Sequence, residues 1–304
     1  MTFSTHISVI ICTHNPRPNY LSRVLQALDS QTLSKESWEL LLIDNASEKI
    51  LSKEIDISWH PNSRHIREEQ LGLTPARLKG IKESVAEVLV FVDDDNILDT
   101  DYLEAALKIS KDYPFIGAWG GKIRPEFEEV PPDWTKPYWP LLALRNFDKD
   151  QWSNLIHQNN TTPCGAGLCV RKIVAEKYVD LVSQDSRRAN LDRRGNLLTS
   201  CGDTDLAFTA CDIGLGTGQF ISLGLTHLIP ANRVQEEYLL KLVQGIAYSG
   251  TILAALWGKY PNQACRSQKI FQSYTRLRMP SRNRHFYDAS EEGKNLALKE
   301  IAKW

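Results

Sequence analysis

Val88-Leu-Val-Phe-Val-Asp-Asp-Asp-Asn96 is an uninterrupted apolar run that ends in three consecutive carboxylates. Five such residues without a polar break read as a β-strand covered on both faces. Alternate residues leaving a strand point to opposite sides, so Asp93 and Asp95 share a side while Asp94 faces away. Three adjacent negative charges repel each other. A divalent cation offsets that repulsion, and oxygen ligands suit Mg²⁺ or Mn²⁺. A solvated turn or a helix-capping cluster is the other reading of the same residues. An EF-hand is excluded, because the segment lacks the glycine at loop position six and the distal Glu.

The flanking sequence repeats the pattern. Ile7-Ser-Val-Ile-Ile-Cys12 is a second β-rich run, followed by the turn-like Thr13-His-Asn-Pro-Arg-Pro-Asn19. Leu21, Val24, Leu25 and Leu28 then fall on one face of a helix. Leu40-Leu-Leu-Ile43 reads as another buried strand and ends in Asp44-Asn45. Leu78, Ile81 and Val85 mark a further helical stripe. After the acidic cluster a helix is expected from about Asp101, with Leu103, Ala106 and Leu107 inward and Thr100 as N-cap. Strand–helix alternation of this kind implies a parallel, doubly wound α/β sheet, in which ligands bind beyond the C-terminal strand ends. Thr13-His14-Asn15, Asp44-Asn45 and Asp93-Asp94-Asp95 all stand at such ends, so they can converge on one ligand.

The second half is less regular. Five prolines (Pro125, Pro131, Pro132, Pro137, Pro140) with Trp134 and Trp139 read as an aromatic loop. Gly165-Ala-Gly-Leu-Cys-Val170 looks like a short strand entered through a glycine turn. Arg187, Arg188, Arg193 and Arg194 lie in a polar loop, read chiefly as a solvated face. A short helix around Leu206, Ala207 and Ala210 stops near Gly214, and a strand at Phe220 to Leu223 leads to His227. Gly214-Leu-Gly-Thr-Gly218 follows a helix rather than a strand, which fails the context of a dinucleotide fingerprint. From Glu236 the chain reads as helical.

Composition bounds the function. The 304 residues carry 36 Lys and Arg against 37 Asp and Glu, a net charge of −1. That balance argues against nucleic acid as a partner. Among Cys12, Cys164, Cys169, Cys201, Cys211 and Cys265 there is no C-x-x-C pair, so a zinc ribbon or thioredoxin-type site is not indicated. Reduced thiols in a cytoplasmic protein are expected. Met1 to His6 is short and polar, unlike a signal peptide. The uncharged stretch Leu242 to Gly258 falls short of the ~20 apolar residues of a membrane span. It reads as a buried helix, with peripheral membrane contact as the alternative.

Taken in order, Ser8-Val-Ile-Ile-Cys-Thr-His-Asn15, Leu42-Ile-Asp-Asn-Ala-Ser47, Gly72-Leu-Thr-Pro-Ala-Arg77 and Val90-Phe-Val-Asp-Asp-Asp95 resemble successive motifs of the family 2 glycosyltransferases of the GT-A fold. Gly165-Ala-Gly167, Gly195 through Cys201-Gly-Asp-Thr-Asp205 and His227-Leu-Ile-Pro-Ala-Asn-Arg233 resemble that family too. The resemblance spans Ile7 to Arg233. It implies a Rossmann-like, mostly parallel sheet flanked by helices, with a helical C-terminal extension. Residues 1–120 would form the nucleotide-sugar half, 121–233 the acceptor and catalytic-base half, and 234–304 the extension.

The same resemblance implies roles. Asp44 would accept a hydrogen bond from the base; a turn-forming Asx residue is the other reading. Thr13, His14, Asn15 and Arg17 would flank the nucleotide, and Arg77 would lie near the donor phosphates. Asp93 would face the ribose, with Asp94 beside it, and Asp95 and His227 would hold Mn²⁺ or Mg²⁺. Trp119, Gly120 and Gly121 resemble the segment beside the donor sugar, Gly121 counting with the donor and Trp119 with the acceptor. Gly165 would also meet the acceptor, and Trp134, Trp139 and Trp152 are either acceptor platforms or packing residues. Asp203 would be the catalytic base, with Asp205 on the acceptor side as the spare. The sequence departs from the family at Leu78, where Asn is usual, and at Gly202, where an acid is common.

These assignments imply an inverting, metal-dependent glycosyltransferase. It would use a nucleotide-diphospho sugar, UDP favoured, and a glycan or lipid-linked acceptor in polysaccharide or glycoconjugate assembly. A catalytically silent relative that binds a nucleotide sugar or glycan as a partner subunit is the alternative. A haloacid-dehalogenase-type phosphatase fits less well, since Ile97 follows Asn96 where that family wants Thr or Val. A sugar nucleotidyltransferase would want a basic, Gly-rich loop in place of Thr13-His-Asn-Pro-Arg-Pro.

Overall fold

A computed structural model describes residues 5–193, 198–260 and 274–304. Among these residues nine strands form one sheet in the order β3-β2-β1-β4-β8-β6-β9-β5, with β7 also on β9. They are β1 (Ile7–Thr13), β2 (Trp38–Asn45), β3 (Ser63–Glu68), β4 (Val88–Val92), β5 (Asn96–Leu98), β6 (Ile116–Phe127), β7 (Gln151–Ser153), β8 (Cys169–Arg171) and β9 (Gly216–Ile229). β1, β2, β3 and β4 pair in parallel. β8 runs against both β4 and β6, and β9 runs parallel to β6, so the main direction continues across it. β5 and β7 run the other way along β9.

Alternation along the central strands explains the layers. Ile7, Val9 and Ile11, Leu40 and Leu42, and Val88, Val90 and Val92 join one core with α1 (Pro18–Asp29) and α3 (Tyr102–Asp112). The intervening residues Ile10, Leu41, Ile43, Leu89 and Phe91 join a second core on the other face. That face is covered by α2 (Leu73–Glu83), α4 (Lys172–Gln184) and α5 (Gly202–Asp212). Both sets are buried, as a strand packed on two sides requires.

Several boundaries differ from the sequence reading. Asp101 rather than Thr100 precedes α3 as its N-cap, with no side-chain capping bond. The strand expected at Phe220 to Leu223 is fourteen residues long, so His227 lies inside it rather than after it. β3, with the polar sequence Ser-Arg-His-Ile-Arg-Glu, is an edge strand whose register on β2 supplies the order that its composition does not.

Met1–Ala189 with Gly202–Pro230 forms one compact unit, and Asn190–Cys201 with Ala231–Trp304 a second. In the second, α6 (Glu236–Leu256) packs along α7 (Ser281–Ile301). A Cβ on Gly293 would collide with the Gln244 carbonyl, so the two backbones meet there. Arg282 bonds Glu236 at 3.0 Å near both helix starts, and Gly293 meets Gln244 further along each, so the helices run in the same direction. The helix that carries the uncharged run starts at Glu236. Its 21 residues therefore meet the length and composition of a membrane span that the run alone does not, with 39% of the apolar window buried. Cys12, Cys164, Cys169, Cys201 and Cys211 form no disulfide, and Cys265 lies outside the described residues.

α2 lies close to β1 because position 80 has no side chain: a Cβ there would run into Ile10 Cγ2. Gly80→Val is expected to lower unfolding free energy by about 1–3 kcal/mol through overpacking, read as an earlier denaturation midpoint. At Gly250, in α6, nothing lies within 4 Å of the added Cβ. There Gly250→Ala is expected to stabilise by up to ~1 kcal/mol, because alanine is the better helix former.

Candidate active site

The register levels the polar strand ends. Thr13 stands opposite Asp44, and Ile11 opposite Val92, so the residues after β1, β2 and β4 share one edge. The Thr13 hydroxyl donates to the Asp94 carboxylate, tying the β1 loop to the acidic cluster. His14 Nδ1 lies 2.8 Å from the Asn45 carbonyl. Asn15 sits in the left-handed region (φ +48°), which Asn tolerates better than most residues. Its N–H donates to Ser47 Oγ, and its Oδ1 accepts from Glu48 N. Arg17 is half-exposed and reaches Glu128 at 3.4 Å.

Asp44 is buried, and both sequence readings bear on it. Its carboxylate accepts from the N–H groups of Ser47 (3.0 Å) and Leu51 (3.2 Å) and from Arg67 Nη1 (2.7 Å). The first of these is an Asx-type turn. Burial alone would raise the Asp44 pKa, but the bonds from Ser47, Leu51 and Arg67 outweigh it and hold the carboxyl below its usual value. Arg67, on the polar strand β3, is a partner that the sequence reading missed.

β5 is only three residues long, yet it sets the position of the third carboxylate. Its Asn96 pairs with His227 on β9, and Leu228 N donates to the Asp95 carbonyl at 2.8 Å. Asp95 Oδ2 and His227 Nε2 are consequently 3.4 Å apart, both nearly buried. The other imidazole nitrogen, Nδ1, lies 3.0 Å from the Leu142 carbonyl. A carbonyl only accepts, so Nδ1 carries the hydrogen and Nε2 faces the carboxylate. A donor bond from the far nitrogen to a main-chain carbonyl is the usual way a metal-binding histidine is oriented.

Arg77 arrives on α2. Gly72, with φ +142°, makes the turn into that helix and donates its N–H to Asn45 Oδ1 at 2.8 Å. Arg77 is buried against Gly165: a Cβ at Gly165 would lie 2.7 Å from Arg77 Nη2 and 3.2 Å from Asp203 Oδ2. Only a glycine leaves that space. Gly165 N–H donates to Asp203 Oδ2 at 2.5 Å, while Thr204 N donates to Asp203 Oδ1 at 2.7 Å. Asp203 thus stands in the first turn of α5, where carboxylates are favoured, with its oxygens directed by two main-chain donors. Burial pushes the neighbouring Cys164 thiol up in pKa; Arg145 opposes the rise, while Asp203 and Asp93 add to it.

Two acceptor assignments need correction. Trp119 is fully buried on β6, with the Arg171 guanidinium 5.7 Å from its ring, so no acceptor reaches it. Asp205 is fully buried and ion-paired with Arg188, which removes it as a spare base and removes Arg188 from any solvated face. Gly121 has a packing reason, since a Cβ there would collide with the Leu223 carbonyl. Trp152, half-exposed, stands with Tyr113 and Phe115 beside the start of β6, opposite the Asp93 edge. Trp139 is tied to Phe127 and Thr135, whereas Trp134 meets Tyr138 edge-on. Arg187 pairs with Asp185, and Arg194 and Gly195 lie outside the described residues.

A strand-end cluster with a buried carboxylate–imidazole pair and an aspartate at a helix start can be compared with known proteins. The profile described as "Glycosyl transferase family 2" matches residues 8–176, more than half of the sequence. The chain belongs to glycosyl transferase family 2. Among curated relatives, it is 33% identical over 101 residues to "Glycosyltransferase AglE" of Haloferax volcanii, covering 32% of this chain and 33% of that one. It is 24% identical over 138 residues to the "Glucosyl-dolichyl phosphate glucuronosyltransferase" of the same organism, 44% of each. The family member thus aligns with a third to under a half of these relatives' lengths. In fold it resembles S. aureus TarS, with a TM-score of 0.54 at 15% identity over 84% of this chain and 43% of that one. TarS 1-349 in complex with UDP-GlcNAc gives a TM-score of 0.52 at 14% identity, over 93% and 79%.

Arg188→Met would leave the Asp205 carboxylate buried without its cation. It is expected to cost about 3–5 kcal/mol of stability, read as a lowered denaturation midpoint. The double variant Arg188→Met with Asp205→Asn is expected to recover part of that loss.

Proposed function

We propose that the protein is a metal-dependent, inverting glycosyltransferase that moves a sugar from a nucleotide-diphospho donor, UDP favoured, to a hydroxyl on a glycan or lipid-linked acceptor. The observation that carries the reading is the gathering of Arg77 and Asp203 about Gly165, whose N–H donates to the Asp203 carboxylate. The UDP-GlcNAc bound to TarS on a like fold supports a nucleotide-sugar donor.

In this reading Asp203 accepts the proton of the acceptor hydroxyl as its oxygen attacks the anomeric carbon. The bond from that carbon to the diphosphate oxygen breaks on the opposite side, which inverts the configuration. Such general-base assistance is worth roughly 10² to 10⁴ in rate. Main-chain donors from Gly165 and Thr204 orient the carboxylate. Arg77, buried beside it, offers a cation to the departing diphosphate.

The donor set fits a divalent cation. Asp95 and His227 face each other at 3.4 Å, with the imidazole oriented by Leu142. Among the described residues no three His, Cys, Asp or Glu side chains form a complete metal cage. That suits Mg²⁺ or Mn²⁺, which usually take one or two protein ligands and complete their coordination with substrate phosphates and water. Such an ion would supply charge neutralisation to the leaving diphosphate. Peripheral membrane contact and a role in polysaccharide or glycoconjugate assembly belong to the same proposal, the first supported by the apolar length of α6.

Asp203→Asn is expected to bind UDP as the parent does and to lose at least about 10²-fold in transfer rate. A variant with undiminished turnover in a donor-consumption assay would remove Asp203 as base. Asp95→Asn and His227→Ala are each expected to abolish the Mn²⁺-dependent gain in UDP affinity. Calorimetric titration with and without Mn²⁺ decides it, and an unchanged metal dependence in both would count against the assignment.

A further inference from the structure

Arg145 is assigned no role by the family motifs, yet it stands beside the reacting groups. Both its main-chain groups are locked to Ile123 of β6: Ile123 N donates to its carbonyl at 2.9 Å, and its own N–H donates back at 3.2 Å. Two residues earlier Ala143 takes a left-handed conformation (φ +60°), and its carbonyl lies 3.9 Å from Cys164 Sγ. The loop from Leu142 to Arg145 therefore does two things. It fixes His227 through the Leu142 carbonyl, and through Ala143, two residues before Arg145, it packs on Cys164, the neighbour of the glycine whose N–H holds Asp203.

The guanidinium is partly buried and makes an incomplete set of bonds. Its Nη1 donates to the Pro140 and Leu144 carbonyls, both at 2.9 Å. Among the described residues no carboxylate pairs with it, whereas Arg17, Arg23, Arg64, Arg67, Arg124 and Arg188 all have one. Nε and Nη2 are left for an external acceptor. Its positive charge is felt at the Cys164 thiol, against the Asp203 and Asp93 carboxylates. A planar cation with two adjacent donors matches an oxyanion in a bidentate manner. Its main chain is bridged to β6, which the strand order separates from β1 and β2 by β4 and β8, and so from the strand ends assigned to the nucleotide.

We propose that Arg145 binds an anionic group of the acceptor, a phosphate or a carboxylate placed near the hydroxyl that reacts. The proposal rests on the reading of Asp203 as base and of the β1–β4 edge as the donor site. Two cations of the cleft then serve different substrates, Arg77 the donor diphosphate and Arg145 the acceptor's own charge.

The test measures binding to the full chain with the donor site first saturated by UDP and Mn²⁺, itself followed by calorimetry. Saturation-transfer NMR then compares glucose 1-phosphate, methyl glucuronide and neutral methyl glucoside. The parent is expected to bind at least one of the anionic ligands about tenfold more tightly than the neutral one. The first two ligands distinguish phosphate from carboxylate. Arg145→Gln is expected to abolish that preference while UDP affinity stays unchanged, and Arg145→Lys to keep part of it. Equal binding of charged and neutral ligands by the parent, or a preference that survives Arg145→Gln, overturns the proposal. Weakened UDP binding in both variants also overturns it, by moving Arg145 to the donor side. If the parent fails to bind UDP, the donor reading falls instead, and the anion preference is still read on the protein without nucleotide.

Discussion

Four carboxylates brought to one region repel one another, and the neighbouring structure is arranged around holding them there. Asp93, Asp94 and Asp95 leave β4 together, while Asp203 comes from the start of α5. The sheet cannot relax the repulsion by shifting, because a one-residue slip would turn the buried residues of β4 toward the wrong core. Neutral donors and cations compensate instead: Thr13 for Asp94, the Gly165 and Thr204 N–H groups for Asp203, and buried Arg77 close by. Asp44 is held in the same style by Arg67 and two N–H groups.

Small residues decide how near these groups come. Gly165 brings Arg77 and Asp203 to one α-carbon, and Gly121 lets β6 approach β9 where the pairing slips beside Leu223. Gly72 supplies a backbone angle that side chains rarely adopt, and α2 leaves it in the direction that carries Arg77 inward. These are contacts made by the absence of atoms.

Much of the first half of the fold was legible in the sequence, because continuous apolar runs at β1, β2 and β4 have only one comfortable setting, a sheet covered on both faces. The same runs placed Thr13, Asp44 and Asp93 on one edge. Less was legible where order comes from pairing rather than composition. β3 and β5 are short and polar, and their positions follow from partners distant in sequence. Arg67 and the Asn96–His227 pairing were invisible for that reason. Trp119 and Asp205 were misread because chemical type says nothing of depth: a tryptophan beside two glycines and an aspartate two residues from another both turn out to be interior. The Arg188 partner of Asp205 lies seventeen residues away, in a loop read chiefly as a solvated face.

The hydrogen bond from His227 to the Leu142 carbonyl links two parts of the protein that the sequence keeps 85 residues apart. Leu142 closes the helical turn that begins at Asp133 and bears Trp134 and Tyr138. An imidazole anchored to such a segment inherits its motions. A substitution that reshapes the aromatic turn is therefore felt at the ring, so that drift in one segment is constrained by the chemistry of the other.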